Sequence, residues 1–122
     1  MENNKVDFIT ALKIRTKEFV LSSVKLFQSL PKTDEARILG KQFLRSSSSV
    51  GANYRAACRA RSKAEFYAKL SITIEEADET QFWLEILTES GIVKNDINDL
   101  MREAGYIVAI LTKARKTASD GR

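Results

Sequence analysis

The sequence predicts an all-α, antiparallel up-down four-helix bundle, and three observations carry that expectation. Apolar residues recur at three- and four-residue spacing through four long segments. Five glycines and one proline leave too little turn punctuation for a many-stranded β protein. The stretches between the segments are short, as antiparallel neighbours in a bundle require. At 122 residues, 43% of them hydrophobic and 30% charged, the chain suits one soluble domain spanning residues 1–122.

The first helix is expected over residues 7–30. Phe8, Leu12, Phe19, Leu26 and Leu30 fall on a narrow arc at about 100° per residue, with Lys13, Lys17 and Lys25 off it. Pro31 ends it. Thr33 is placed to N-cap a second helix over 34–60, with Asp34 and Glu35 in its first turn. The third, over 63–90, opens on a capping box, Ser62 to Glu65. Phe66, Leu70, Ile74, Ala77, Gln81 and Leu84 form its inward row, and Gly91 is placed to close it as a C′ glycine. Asn95 or Asp96 caps a fourth helix over 96–115, with Ile97, Leu100, Met101, Ala104, Val108 and Leu111 inward. The polar tail 116–122 is expected to fray.

The run "RSSSSVGANYR", residues 45–55, resembles a linker by composition but not by phase. With Arg37 set at 0°, Leu39, Phe43, Ser47, Val50, Tyr54, Ala57 and Cys58 share one side of the wheel, so a single core stripe crosses the serines. Small side chains allow close helix approach, and a helical serine hydroxyl can bond the carbonyl one turn back. Gly51 costs about 0.5–1 kcal/mol relative to alanine in a helix interior, which points to a tight crossing or a kink. The run lacks the G-x-x-x-x-G-K-[ST] spacing of a phosphate loop and follows no strand. Cys58 reads as a structural thiol.

Two further faces share that wheel. Ser49, Ala52, Asn53, Ala56 and Ala60 form a small, nearly uncharged face, while the third helix carries Ile72, Phe82, Trp83 and Ile86 outside its inward row. These apolar extras either roll into the core or form a subunit interface, with Ala52 and Ala56 docking beside them. Basic residues form another stripe: Arg37, Lys41, Arg45, Arg55 and Arg59 lie within about 80° of one another. Arg61, Lys63 and Lys69 follow, so residues 37–69 hold eight bases and one acid, Glu65.

The charge asymmetry extends along the chain. Residues 1–69 carry 14 Lys/Arg against 6 Asp/Glu, and residues 70–122 carry 6 against 10, within a net charge of +4. Residues 70–93 contain no base, but do hold Glu75, Glu76, Asp78, Glu79, Glu85 and Glu89. The basic stripe therefore meets phosphate backbones or pairs with these acids.

Several classes of function are excluded. There is no histidine and one cysteine, so an internal disulfide, a Cys/His zinc site, a Glu-x-x-His di-iron site and His-activated nucleophiles are all ruled out. The start has neither the basic region nor the apolar run of a signal peptide, and no apolar stretch reaches the ~20 residues of a membrane span. A cytoplasmic location is expected, with no membrane contact, no metal and no cofactor.

Residues 44–87 carry a resemblance. Leu44-Arg45-Ser46, Gly51-Ala52-Asn53-Tyr54-Arg55, Arg61-Ser62-Lys63, Phe66, Lys69-Leu70, Glu76-Ala77-Asp78-Glu79-Thr80 and Trp83-Leu84 resemble the bacterial four helix bundle protein family, also called the 23S ribosomal RNA intervening-sequence or S23 family. The outer helices resemble it in length and pattern only. The resemblance implies a bundle that assembles into a ring, commonly a homopentamer. The ribosomal label refers to genes lying inside insertions in ribosomal RNA genes. A related branch comprises accessory proteins of diversity-generating retroelements, which implies a reverse transcriptase and nucleic acid as further partners. Ala56 departs from the pattern, where many relatives have glutamate.

The resulting expectation is a non-enzymatic, homo-oligomeric helical bundle that contacts RNA or DNA backbone through Arg45, Arg55, Arg59, Arg61, Lys63 and Lys69. Its interface would be built from Ala52, Ala56, Ile72, Phe82, Trp83 and Ile86. The alternative is a protein–protein scaffold whose basic stripe is paired with a neighbouring subunit's acids.

Overall fold

The four amphipathic segments fold as helices α1 (Glu2–Ser29), α2 (Asp34–Ala57), α3 (Lys63–Glu89) and α4 (Asn98–Asp120). The computed structural model describes residues 2–120, and side chains from residue 7 to 119. Each helix packs on the next in sequence, and α4 returns beside α1. The order is antiparallel: α1 meets Gly51 at Val20 and Gly40 at Phe27, while α3 meets Met101 at Thr88 and Arg115 at Ser71. The α2–α3 contact is the most extensive and the α1–α4 contact the slightest.

The ends follow the local chemistry. The Thr33 hydroxyl accepts from the Ala36 amide at 3.3 Å, and the Ser62 hydroxyl accepts from the Glu65 amide at 3.1 Å. Glu65 reciprocates one residue early, its carboxylate accepting from the Arg61 amide at 3.3 Å. Gly91 takes φ +82° after α3, a conformation open to glycine at no steric cost. Asp96 accepts from the Asn98 amide at 2.8 Å, so it caps α4 from two residues before the helix.

The core runs through all four helices, with Phe43, Val50, Leu70, Leu84, Ile107 and Leu111 sealed from solvent. The serine run is helical throughout. Ser46 and Ser47 are buried, and their hydroxyls donate to the carbonyls of Phe43 and Leu44 at 3.0 and 3.2 Å. Thr80 of α3 meets Ser46 at 2.9 Å and the Glu76 carbonyl at 2.7 Å. Small hydroxyl residues thus let α2 and α3 approach without leaving a buried polar atom unpaired. Gly51 marks a tight crossing: a Cβ there would stand 2.9 Å from the Val20 Cγ2.

Boundaries and one core assignment are corrected. Helix α1 begins at Glu2 rather than residue 7, and α2 ends at Ala57 rather than 60, which puts Arg59 and Ala60 in the connection. Phe8 is 49% exposed. The register that pairs Leu30 with Gly40 and Val20 with Gly51 carries Phe8 past the end of α2, so no neighbour covers it there. Helix α4 starts at Asn98 rather than 96 and continues through Asp120, so residues 116–120 of the expected frayed tail are helical. The start of α3 supports them, because Arg115 lies 5.7 Å from the Tyr67 ring centre and donates to the Ser71 hydroxyl at 3.3 Å. Gly121 and Arg122 lie outside the described residues. Among the described residues no helix is long and apolar enough to cross a membrane.

Candidate functional site

The tertiary structure divides the predicted basic stripe between two edges of α2. On the α3 side, Arg45 lies against Glu76, with Nη1–Oε2 3.1 Å and Nη2–Oε1 3.4 Å, and its Nη2 also donates to Glu79. The Trp83 indole N–H donates to the same Glu79 carboxylate at 2.9 Å. This indole bond, then Arg45, holds Glu79 below the usual carboxylate range against the opposing effect of burial. Bonds to Glu76 first and Glu79 second raise Arg45 above its ordinary range. Intramolecular pairing of the stripe with α3 acids is therefore realised at Arg45.

On the α1 side, Arg55 and Arg59 face Lys13 and Lys17 across a groove of roughly 440 Å³. Its apolar parts are Ile14, Val20, Leu21 and Ala52, and no acidic residue lines it. Ile14 and Leu21 are 52% and 54% exposed. Among the described residues, none of the four bases makes an ion pair. The remaining predicted contacts lie elsewhere: Arg61 is exposed in the α2–α3 connection, Lys63 opens α3, and Lys69 is half-buried one and a half turns on. The six bases thus form no continuous surface along one helix.

The predicted interface residues separate in the same way. Ala52 belongs to the α1/α2 groove. Ile72 and Phe82 are exposed, Ile86 is half-buried, and these three share the outward side of α3. Ala56 is half-buried on α2. Of the aromatic pair, only Trp83 rolls into the core. Trp83 packs against the core while Phe82 stays 51% exposed, its ring edge-to-face with the indole at 5.0 Å between centroids.

Lys13, Lys17, Ile14 and Leu21 were not predicted as site residues. Their signal is visible in hindsight as a second row on α1, a basic pair four residues apart beside an apolar pair seven apart. A second contact closes the bundle: Arg15 grips Glu103 with Nε–Oε2 2.6 Å and Nη2–Oε1 2.9 Å, and stacks 4.6 Å from the Tyr106 ring centre. Cys58, the α2 C-cap, is half-buried. Among the described residues no group of three or more His, Cys, Asp or Glu side chains is placed to hold a metal ion.

The family described as 23S rRNA-intervening sequence protein matches residues 11–113 of the chain. A crystal structure of a protein of unknown function from the S23 ribosomal protein family of Bacteroides thetaiotaomicron VPI-5482 is similar, at 34% identity and a TM-score of 0.81. The match covers 89% of this chain and 98% of that one. No curated protein matches the chain.

Proposed function

The chain belongs to the 23S rRNA-intervening sequence protein family, and from that premise we propose that it is a non-enzymatic cytoplasmic scaffold that self-associates and docks other macromolecules. One observation carries the reading. Ile14, Leu21, Ile72 and Phe82 are each about half exposed, in rows that lie beside charges of opposite sign on two sides of the bundle. A monomeric bundle needs one apolar stripe per helix, and apolar positions ringed by charge suit association in water. The ring of five copies that the family resemblance implies is one such assembly.

Light scattering over a dilution series tests it. The expected mass is a multiple of 13.7 kDa; a single-chain mass at every concentration overturns the reading.

The groove bases favour a second reading, contact with RNA or DNA backbone, because Lys13, Lys17, Arg55 and Arg59 converge with no acid among them. That contact predicts binding of a short RNA that weakens steeply with salt.

A further inference from the structure

Four bases stand on the rims of the α1/α2 groove at one end, Lys13 and Lys17 facing Arg55 and Arg59. The register that sets Val20 against Gly51 brings Lys17 to the level of Arg55 and Lys13 to that of Arg59. Each rim thus presents two cations four residues apart, about 6 Å along a helix. The rest of the groove is apolar. Ile14 and Leu21, seven residues apart, form a half-exposed rail about 10 Å long on α1. Beside it runs a floor that Gly51 and Ala52 keep low.

No acid of the two helices lines this groove among the described residues. Glu18 faces the cleft on the α4 side of α1, and Asp34 and Glu35 open α2 at the opposite end. Asp7 stands two turns before Ile14, outside the groove.

The hydroxyls of the lining donate within their own helices. Thr16 donates to the Leu12 carbonyl and Ser48 to the Arg45 carbonyl, each at 3.0 Å. An extended peptide laid there would bring backbone groups to a floor with little to pair them, whereas a helix satisfies its own. Among the described residues no aromatic side chain lines the groove for a nucleobase to stack on. Phosphate contacts alone would also leave the Ile14–Leu21 rail in water.

We infer that the groove seats an acidic amphipathic helix of a different protein, its apolar stripe on the Ile14–Leu21 rail and its carboxylates between the basic rims. The inference rests on the reading that this chain docks other macromolecules, and it names the chemistry of one. Such a helix carries apolar residues at i, i+3 or i+4, and i+7, with Asp or Glu on both sides of that stripe. The charges steer its approach and fix its orientation, and the apolar contact slows its release.

Fluorescence anisotropy tests this with a labelled peptide of about 18 residues, carrying leucine at those spacings and glutamate on both flanks. The wild type is expected to bind it saturably, and to bind a scrambled peptide of the same composition about tenfold or more weakly. Two double variants at exposed positions, checked for helicity by circular dichroism, are Arg55→Glu with Arg59→Glu and Ile14→Ser with Leu21→Ser. Each is expected to weaken binding by about tenfold or more. Absence of saturable binding overturns the inference. So does equal binding of the scrambled peptide with no effect of the serine pair, which marks a contact for any anion. A short RNA that binds more tightly than the peptide and displaces it also overturns the inference, and makes the groove a nucleic-acid contact. If the arginine variant lowers the mass seen by light scattering, a second copy occupies the groove: self-association stands and this inference falls. A wild type that is a single chain at every concentration, yet binds the peptide as expected, removes self-association and supports the inference.

Discussion

Two glycines in comparable helix interiors are expected to respond to alanine with opposite signs. A Cβ at Gly40 would stand 2.6 Å from the Leu30 Cδ1 and 3.2 Å from each of two Phe27 ring carbons. Ordinary carbon contacts are about 3.5–4.0 Å, so the Leu30 methyl must retreat by about 1 Å while the Phe27 ring yields a few tenths. Leu30 is buried, so that retreat displaces its own neighbours. Overpacking of this kind costs about 1–3 kcal/mol, and the gain in helix propensity offsets about 0.5–1 kcal/mol. The net loss for Gly40→Ala is about 1 kcal/mol at the middle of these ranges and at most about 2.5 kcal/mol. At Gly105 the nearest atom to an added Cβ is the Gln81 Nε2 at 3.2 Å, the movable end of a half-buried side chain. Gly105→Ala therefore gains about 0.5 kcal/mol, most of the propensity difference. Urea unfolding followed by circular dichroism, at one fixed protomer concentration, measures both. The Gly40→Ala midpoint falls, the Gly105→Ala midpoint rises, and the slopes stay unchanged. Movement of both midpoints in the same direction would refute the claim that helix approach, not propensity, decides the effect at Gly40.

The serine run offers a similar contrast: Ser46→Val, at a fully buried position against Thr80, costs about 1–3 kcal/mol by overpacking, whereas Ser48→Val at an exposed position stays within about 0.5 kcal/mol. The same urea midpoints check this. For Glu79, the folded-state affinity for a proton is lowered, first by the Trp83 indole bond and then by Arg45. Its stabilisation is therefore present above the ordinary carboxylate value of 4.5 and is lost as pH falls through the lower folded value. Glu79→Gln is expected to be less stable than wild type at neutral pH, with the gap narrowing in acid; a gap independent of pH would contradict the assignment.

Period-based features were legible without coordinates. The wheel kept Phe43, Ser47, Val50 and Tyr54 in one row across the serines, and all four are buried. Thr33, Ser62 and Gly91 also act as their residue types require, because capping depends on groups within a few residues of one another. Ser46 was missed because it lies at the edge of the α2 stripe, and only the approach of Thr80 from α3 covers it. Phe8 failed in the opposite sense: its phase is correct, but phase carries no information about whether a neighbouring helix extends that far.

The candidate surfaces show the same division. The excess of bases over residues 37–69, and the absence of any over 70–93, is written in the chain. Periodicity places Arg45 and Arg55 on one outward face of α2. It cannot show that α3 brings Glu76 and Glu79 to the first, while α1 brings Lys13 and Lys17 to the second. Helical period and caps are short-range properties, so the sequence by itself determined four amphipathic helices, their approximate ends and their sides. Which charges are neutralised within the chain and which remain to meet a partner depends on contacts across tens of residues. The register of packed helices sets those contacts, and only the tertiary structure decided it.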